Sequence, residues 1–181
     1  MIDKDRDLIL DLKTEGKKEL AFRLLVKNYQ QRLYWHIRKI VVSHDDADDL
    51  MQNVFIKVWK NIDSFREDSS LFTWLFRIAT NESLSFLQQK KRRNIFSFDG
   101  VSDYLVETYE SDAHFEGEEL QKRLQLAVLK LPEKQRLVFN MKYYDEMKYE
   151  EIAEILKTSV GALKASYHHA VKKIEAHFAD E

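Results

Sequence analysis

The residues best placed to do chemistry lie near the C-terminus, where Val160, Leu163, Tyr167, Val171, Ile174 and Phe178 recur at helical spacing. That stripe faces a core, so Gly161, Lys164, Ala165, His168 and Lys172 form the opposite, solvent-facing stripe, with His169 and Lys173 beside it. Small residues at its start let a backbone approach DNA closely, and helix N-terminal amides bind phosphate. Lys164 and His168 reach base edges or phosphates from the half of the helix that enters a major groove. Ser159 stands where it caps this helix. Just upstream, Ile152, Ala153 and Leu156 give a short helix an apolar face, and Lys157-Thr158-Ser159 supplies the turn of a helix-turn-helix. A plain helical hairpin with a solvated basic face has the same pattern. His168 and His169 are adjacent and so do not share a helix face. No carboxylate stands at ligand spacing, and no metal is expected.

Catalysis is not expected either. The chain has no Gly-rich phosphate loop, no activated-nucleophile pattern and no metal cluster, so it reads as a non-enzyme without cofactor. Its 181 residues contain no cysteine, which excludes disulfides and thiolate metal sites. The segment MIDKDRDLIL is too charged and interrupted for a signal peptide. No apolar run approaches the roughly 20 residues that span a bilayer. A cytoplasmic protein with no membrane insertion is expected.

A net charge of −2 looks unsuited to DNA, but the average hides a pattern. Residues 1–93 carry 18 Lys and Arg against 14 Asp and Glu, and residues 120–181 carry 11 against 9. Between them, residues 94–119 carry 8 acids and no base. Two mildly basic blocks flank an acidic segment.

The elements that must position these residues are helical. Four Gly and one Pro leave long periodic runs uninterrupted. A short helix is predicted over 5–13 and a long one over 17–42, with Leu20, Leu24, Tyr29, Leu33, Ile37 and Ile40 near helical spacing. The polar stretch 43–46 offers N-cap chemistry to a third helix over 46–62, whose apolar face is Ala47, Leu50, Met51, Val54, Val58 and Ile62. Acids at its start and Lys57 and Lys60 near its end suit the helix dipole. After a polar loop, 71–93 reads as one helix ending in Lys90-Lys91-Arg92-Arg93. Periodicity fades from 94 to about 119, which reads as a linker. Helices resume over 115–130, 133–144, 148–156 and 160–178, with Pro132 opening the second of these.

Five stretches carry a family resemblance. Leu131-Pro132-Glu133-Lys134-Gln135-Arg136, then 149–156 (YEEIAEIL) and 159–164 (SVGALK), resemble region 4 of extracytoplasmic-function sigma factors of the sigma-70 family. Residues 46–59 (DADDLMQNVFIKVW) resemble region 2.2, and 72–81 (FTWLFRIATN) resemble regions 2.3 to 2.4. The motifs stand in the expected order and cover nearly the whole chain. The resemblance implies an all-α chain of two small helical domains: a region 2 bundle over 1–93, an acidic linker over 94–118, and a region 4 helix-turn-helix over 119–181.

It also implies a bacterial transcription initiation factor. Region 2 would bind the RNA polymerase core at the clamp of the largest subunit and open the −10 element. Region 4 would bind the flap of the second subunit and the −35 element of promoter DNA. An anti-sigma factor is the implied controlling partner. Two weak DNA sites joined by a linker of suitable reach act as one strong one. Polymerase contact falls on Asp48, Asp49, Gln52, Asn53, Phe55, Ile56, Trp59 and Lys60. Here Asn53 stands where the family commonly has an acid, while Ile56 is an apolar residue on a polar face.

Contact with the −10 element falls on Phe65, Arg66, Ser69, Phe72, Trp74, Arg77 and Asn81, where aromatic faces would stack on single-stranded bases. Trp74 also suits the core, and Arg77 and Asn81 share a helix face. Lys90, Lys91, Arg92 and Arg93 would hold duplex phosphates. The −35 contacts fall on Ser159, Gly161, Lys164, Ala165, His168, His169 and Lys172. Family members often carry arginine two and five positions after Lys164, where this chain has Ser166 and His169. The linker would thread the polymerase channel later used by RNA, or serve as a plain tether. A dimeric helix-turn-helix repressor and a DNA-free adaptor of the same fold are the two other readings, separable by oligomeric state and by polymerase-dependent transcription.

Overall fold

The computed structural model describes residues 5–93, 100–112 and 118–179. Nine α-helices and no strand are found among them. They are α1 Arg6–Leu12, α2 Lys18–Val41, α3 His44–Asn61, α4 Leu71–Arg92, α5 Val101–Ser111, α6 Glu119–Leu129, α7 Glu133–Phe139, α8 Tyr149–Leu156 and α9 Val160–Ala179. A 3₁₀ turn, Ile62–Ser64, closes α3, and α7 widens into a π-helical turn, Asn140–Tyr144. Two helices start where cap chemistry predicts. The Ser43 hydroxyl accepts the Asp46 N–H at 3.2 Å, and the Ser159 hydroxyl accepts the Ala162 N–H at 3.3 Å. Ser70 caps α4 in the same way, taking the Thr73 N–H at 3.0 Å.

Helices α1–α4 form the N-terminal lobe. In α3 the expected face is the buried one, through Ala47, Leu50, Val54 and Val58. In α2 the buried row is Ala21, Leu25, Tyr29, Leu33, Ile37 and Ile40. Leu20 and Leu24, expected on that face, are 66% and 47% exposed. The reason is the i, i+4 row from Ala21, which leaves residues one position earlier on the neighbouring, solvated stripe.

The acidic segment differs most from expectation. Within it, α5 is a helix whose Leu105 and Tyr109, one turn apart, are buried in the core. Its end is tied by an ion pair between Asp112 and Arg38 of α2, both nearly buried. Acids at its exposed positions mask a two-residue apolar stripe that is too short for periodicity to reveal.

Helices α6–α9 form the C-terminal lobe. One face closes a local core of Ala127, Val128, Leu131, Phe139, Ala170 and Ile174. Arg136 is buried there and donates to the carbonyls of Leu129 and Leu131, both at 3.3 Å, holding the end of α6 against α7. Burial alone lowers its pKa, and Glu133 partly offsets this. The other face joins the N-terminal lobe. Leu137, Val138, Met141, Met147, Ile152, Ile155 and Leu163 lie in one apolar cluster with the residues of α2 and α4. The two lobes therefore share a core.

Candidate nucleic-acid and polymerase interface

The helix-turn-helix turn is set by Lys157, whose backbone is left-handed at φ 51. That conformation ends α8 and lets the Thr158 N–H reach the Ala153 carbonyl at 3.2 Å. Glu151 folds back to accept the Lys148 N–H at 2.8 Å, fixing the start of α8. With both ends of α8 fixed, α9 buries Leu163, Ala170 and Ile174 and presents the opposite face. Gly161, Lys164, Ala165, His168, His169, Lys172 and Lys173 are all exposed there, as expected from spacing. Nothing lies within 4 Å of where a Gly161 Cβ would stand, so internal packing does not require that glycine.

Sequence reasoning missed the support beneath Lys164. Its ammonium lies 5.8 Å from the centre of the Tyr149 ring, and Lys142 lies 5.0 Å from the same ring. A cation over an aromatic face is held electrostatically, so Tyr149 aims Lys164 from the first helix of the motif. Behind α9, Tyr167 stacks on Phe139 at 5.8 Å, which fixes the rotation of the helix about its axis. No group of three or more His, Cys, Asp or Glu that could hold a metal occurs among the described residues.

On α3, Asp49, Gln52, Asn53, Ile56 and Lys60 form one exposed face, with Ile56 52% exposed at its centre. Asp48 is half-exposed and lies 3.6 Å from His44. Phe55 and Trp59 are braced from below by Phe22, at 6.3 and 4.9 Å between ring centres, and Lys18 covers the Trp59 ring. This is a fixed, partly apolar surface.

The residues expected to meet the −10 strand are not brought together as one open surface. Phe65 is buried, lying 5.1 Å from Trp74, and Trp74 itself is half-buried against the core. Phe72 packs against Phe76 at 4.2 Å between ring centres, and the guanidinium of Arg32 lies 4.6 Å from the Phe72 ring centre. Arg66 and Asn81 are exposed, and Ser69 is half-exposed. Arg77 faces α8 and pairs with Glu154 at 3.4 Å, with its Nε buried and without a hydrogen-bond partner. Lys90 is engaged within the fold, donating to Asp46 and to the Tyr104 hydroxyl, both at 2.7 Å. Burial works against its charge, but those two partners outweigh it and raise its pKa. Lys91 is half-exposed, and Arg92 and Arg93 are exposed beyond it.

Where α4 meets the C-terminal lobe, a polar joint is buried. His36 Nδ1 lies 2.6 Å from an Asp145 oxygen and Nε2 lies 2.9 Å from the Thr80 hydroxyl. Lys39 reaches the other Asp145 oxygen at 3.3 Å, and Asn140 donates to the Lys39 carbonyl at 3.3 Å. Burial would raise the Asp145 pKa, but His36 and Lys39 reverse that and lower it.

The described residues are helical throughout their regular structure, and their last two helices form a capped helix-turn-helix with a cationic stripe outward, the form of a helix-turn-helix regulatory protein. The chain belongs to the extracytoplasmic-function group of the sigma-70 family. The model of sigma-70 region 2 matches residues 25–93 and that of sigma-70 region 4 matches residues 121–174. The chain is 31% identical to the ECF RNA polymerase sigma-E factor of Escherichia coli, over 97% of its own length and 95% of that protein. It is 30% identical to the ECF RNA polymerase sigma factor SigW of Bacillus subtilis, over 88% and 90%.

Two solved structures share the fold. One is CnrH in complex with the cytosolic domain of CnrY, at a TM-score of 0.72 and 22% identity, covering 99% of both chains. The other is the sigma factor RpoE with the anti-sigma factor NepR from Bartonella quintana, at 0.68 and 22%, covering 87% of this chain and 96% of that one.

Proposed function

We propose that this protein binds the RNA polymerase core through α3 and carries it to promoters. Residues 1–93 serve core binding and the −10 element, 94–118 connect, and 119–181 serve the −35 element. The family models, which span 25–93 and 121–174, support this division. The observation that carries the reading is the α3 face. Asp49, Gln52, Asn53, Ile56 and Lys60 form an exposed surface with an apolar centre, and Phe22 fixes it from behind. Such a surface suits a protein partner, the clamp of the largest subunit, while region 4 meets the flap of the second.

Arg66, Phe72, Arg77 and Asn81 contact the −10 strand. Arg92 and Arg93 hold duplex phosphates. Lys164, His168, His169 and Lys172 contact the −35 element. The place of action is the cytoplasm, where the polymerase is, and no helix of the described residues is long and apolar enough to cross a membrane. An anti-sigma factor controls access, a reading supported by RpoE of Bartonella quintana, whose solved structure is a complex with the anti-sigma factor NepR.

Ile56→Glu tests the face, because it inserts a charge at the centre of a contact without touching the core. Titration of the labelled chain with core polymerase should show a loss of about 2 kcal/mol or more in affinity, with helix content unchanged. Unchanged affinity removes α3 from the interface.

A further inference from the structure

We propose that Lys13 and Lys18, at the turn between α1 and α2, are positioning residues for the −10 strand: they brace the loop 63–70 from which Arg66 and Ser69 face that strand. The role toward DNA rests on the −10 reading above, whereas the brace itself does not. The two lysines grip the loop at its start and at its tip. Lys18 Nζ donates to Asp63 at 2.6 Å, and Lys13 Nζ donates to Glu67 at 2.8 Å. Each lysine also lies over a ring. Lys18 is 4.9 Å from the centre of Trp59, and Lys13 is 5.6 Å from the centre of Phe65. The turn that carries them is itself fixed. Gly16 takes φ 81, the Thr14 hydroxyl donates to the Leu10 carbonyl at 2.7 Å, and Lys17 pairs with Asp11 at 2.9 Å. Leu12, next to Lys13, is fully buried.

The loop has a reason to need bracing. Ile62, Phe65 and Leu71 are buried and anchor it, but residues 66–69 carry no buried side chain. Within them Glu67 holds a left-handed backbone at φ 61, a conformation that is unfavourable for an L-residue. Its carboxylate is the group that Lys13 holds. Arg66 stands between buried Phe65 and gripped Glu67, and it is exposed. Pinning both neighbours limits the directions in which the Arg66 guanidinium can point.

Charge gives the same lysines a second effect. Asp63, Glu67 and Asp68 are three acids on a loop proposed to meet a polyanion, and an unpaired carboxylate there repels phosphate. Lys18 and Lys13 each neutralise one of them. Arg66 balances the third, so the loop and its brace together carry no net charge. Removal of Lys13 therefore frees the bend and also uncovers an acid at the loop tip.

The test uses the full chain assembled with saturating core polymerase and a labelled fork DNA, single-stranded across the −10 element of a promoter of its host. Lys13→Met keeps an apolar stem over Phe65 and removes the charge. It should weaken fork binding about two- to fivefold, the size of an exposed ion pair, and leave binding to a −35 duplex unchanged. Lys18→Met should act in the same direction. Glu67→Gly separates bracing from direct contact, because glycine holds the left-handed bend without steric cost and leaves Lys13 nothing to grip. In that background Lys13→Met should leave fork affinity unchanged. An equal loss in both backgrounds means that Lys13 touches DNA itself, and it overturns the positioning role. So does a wild-type fork affinity that Lys13→Met leaves intact. Hydrogen exchange of the amides at 66–69 reads the brace without DNA, and Lys13→Met should speed it. Unchanged exchange overturns the brace. Faster exchange, with fork binding that Arg66→Ala and Asn81→Ala do not alter, keeps the brace and removes the −10 reading.

Discussion

At the scale of single residues, Lys164 and His169 are the proposed −35 readers that most distinguish this chain. Lys164 is exposed on the recognition face and aimed by Tyr149. Its replacement by alanine should weaken binding to a −35 duplex by about 1–3 kcal/mol and lower the salt slope by about 1, read by fluorescence anisotropy over a salt series. His169→Arg should strengthen the same binding, because it places a permanent, forked cation where family members often carry arginine. The outward stripe of α9 was legible from spacing alone, since a helix that buries Leu163, Ala170 and Ile174 must turn positions 161, 164, 165, 168 and 172 to solvent. The fates of Phe65 and Lys90 were not legible. Each is used inside the fold, by Trp74 and by Asp46 with Tyr104, through contacts that no local pattern encodes.

At the scale of elements, capping chemistry marked the starts of α3 and α9 well, because Ser43 and Ser159 act within three residues of themselves. Helix α5 went unseen for the opposite reason. Its stability comes from burying Leu105 and Tyr109 against other elements, and tertiary packing of this kind leaves little trace in an 11-residue acidic sequence. Leu105→Ala should therefore cost about 2–5 kcal/mol in urea unfolding, whereas a free tether would lose almost nothing. The turn between α8 and α9 offers a gain instead. Lys157 holds a left-handed backbone that costs an L-residue about 1–2 kcal/mol. Lys157→Gly should raise the melting temperature by a few degrees, with the −35 affinity unchanged.

At the scale of the whole molecule, order and charge along the chain showed two lobes but not their embrace. His36 and Asp145 are 109 positions apart, and Arg77 and Glu154 are 77 apart. Such pairings follow from three-dimensional docking and have no periodic signature. The α3 face proposed to meet the polymerase is exposed, while Arg77 is partly covered and pairs with Glu154 of α8. The most direct measurement is reconstituted transcription. Purified chain is added to core polymerase on DNA bearing promoters of its host, and transcript starts are mapped. Discrete starts that appear with the chain and vanish with Ile56→Glu are the predicted result. Starts no more specific than those of core alone would contradict the assignment of this protein as a promoter-directing subunit.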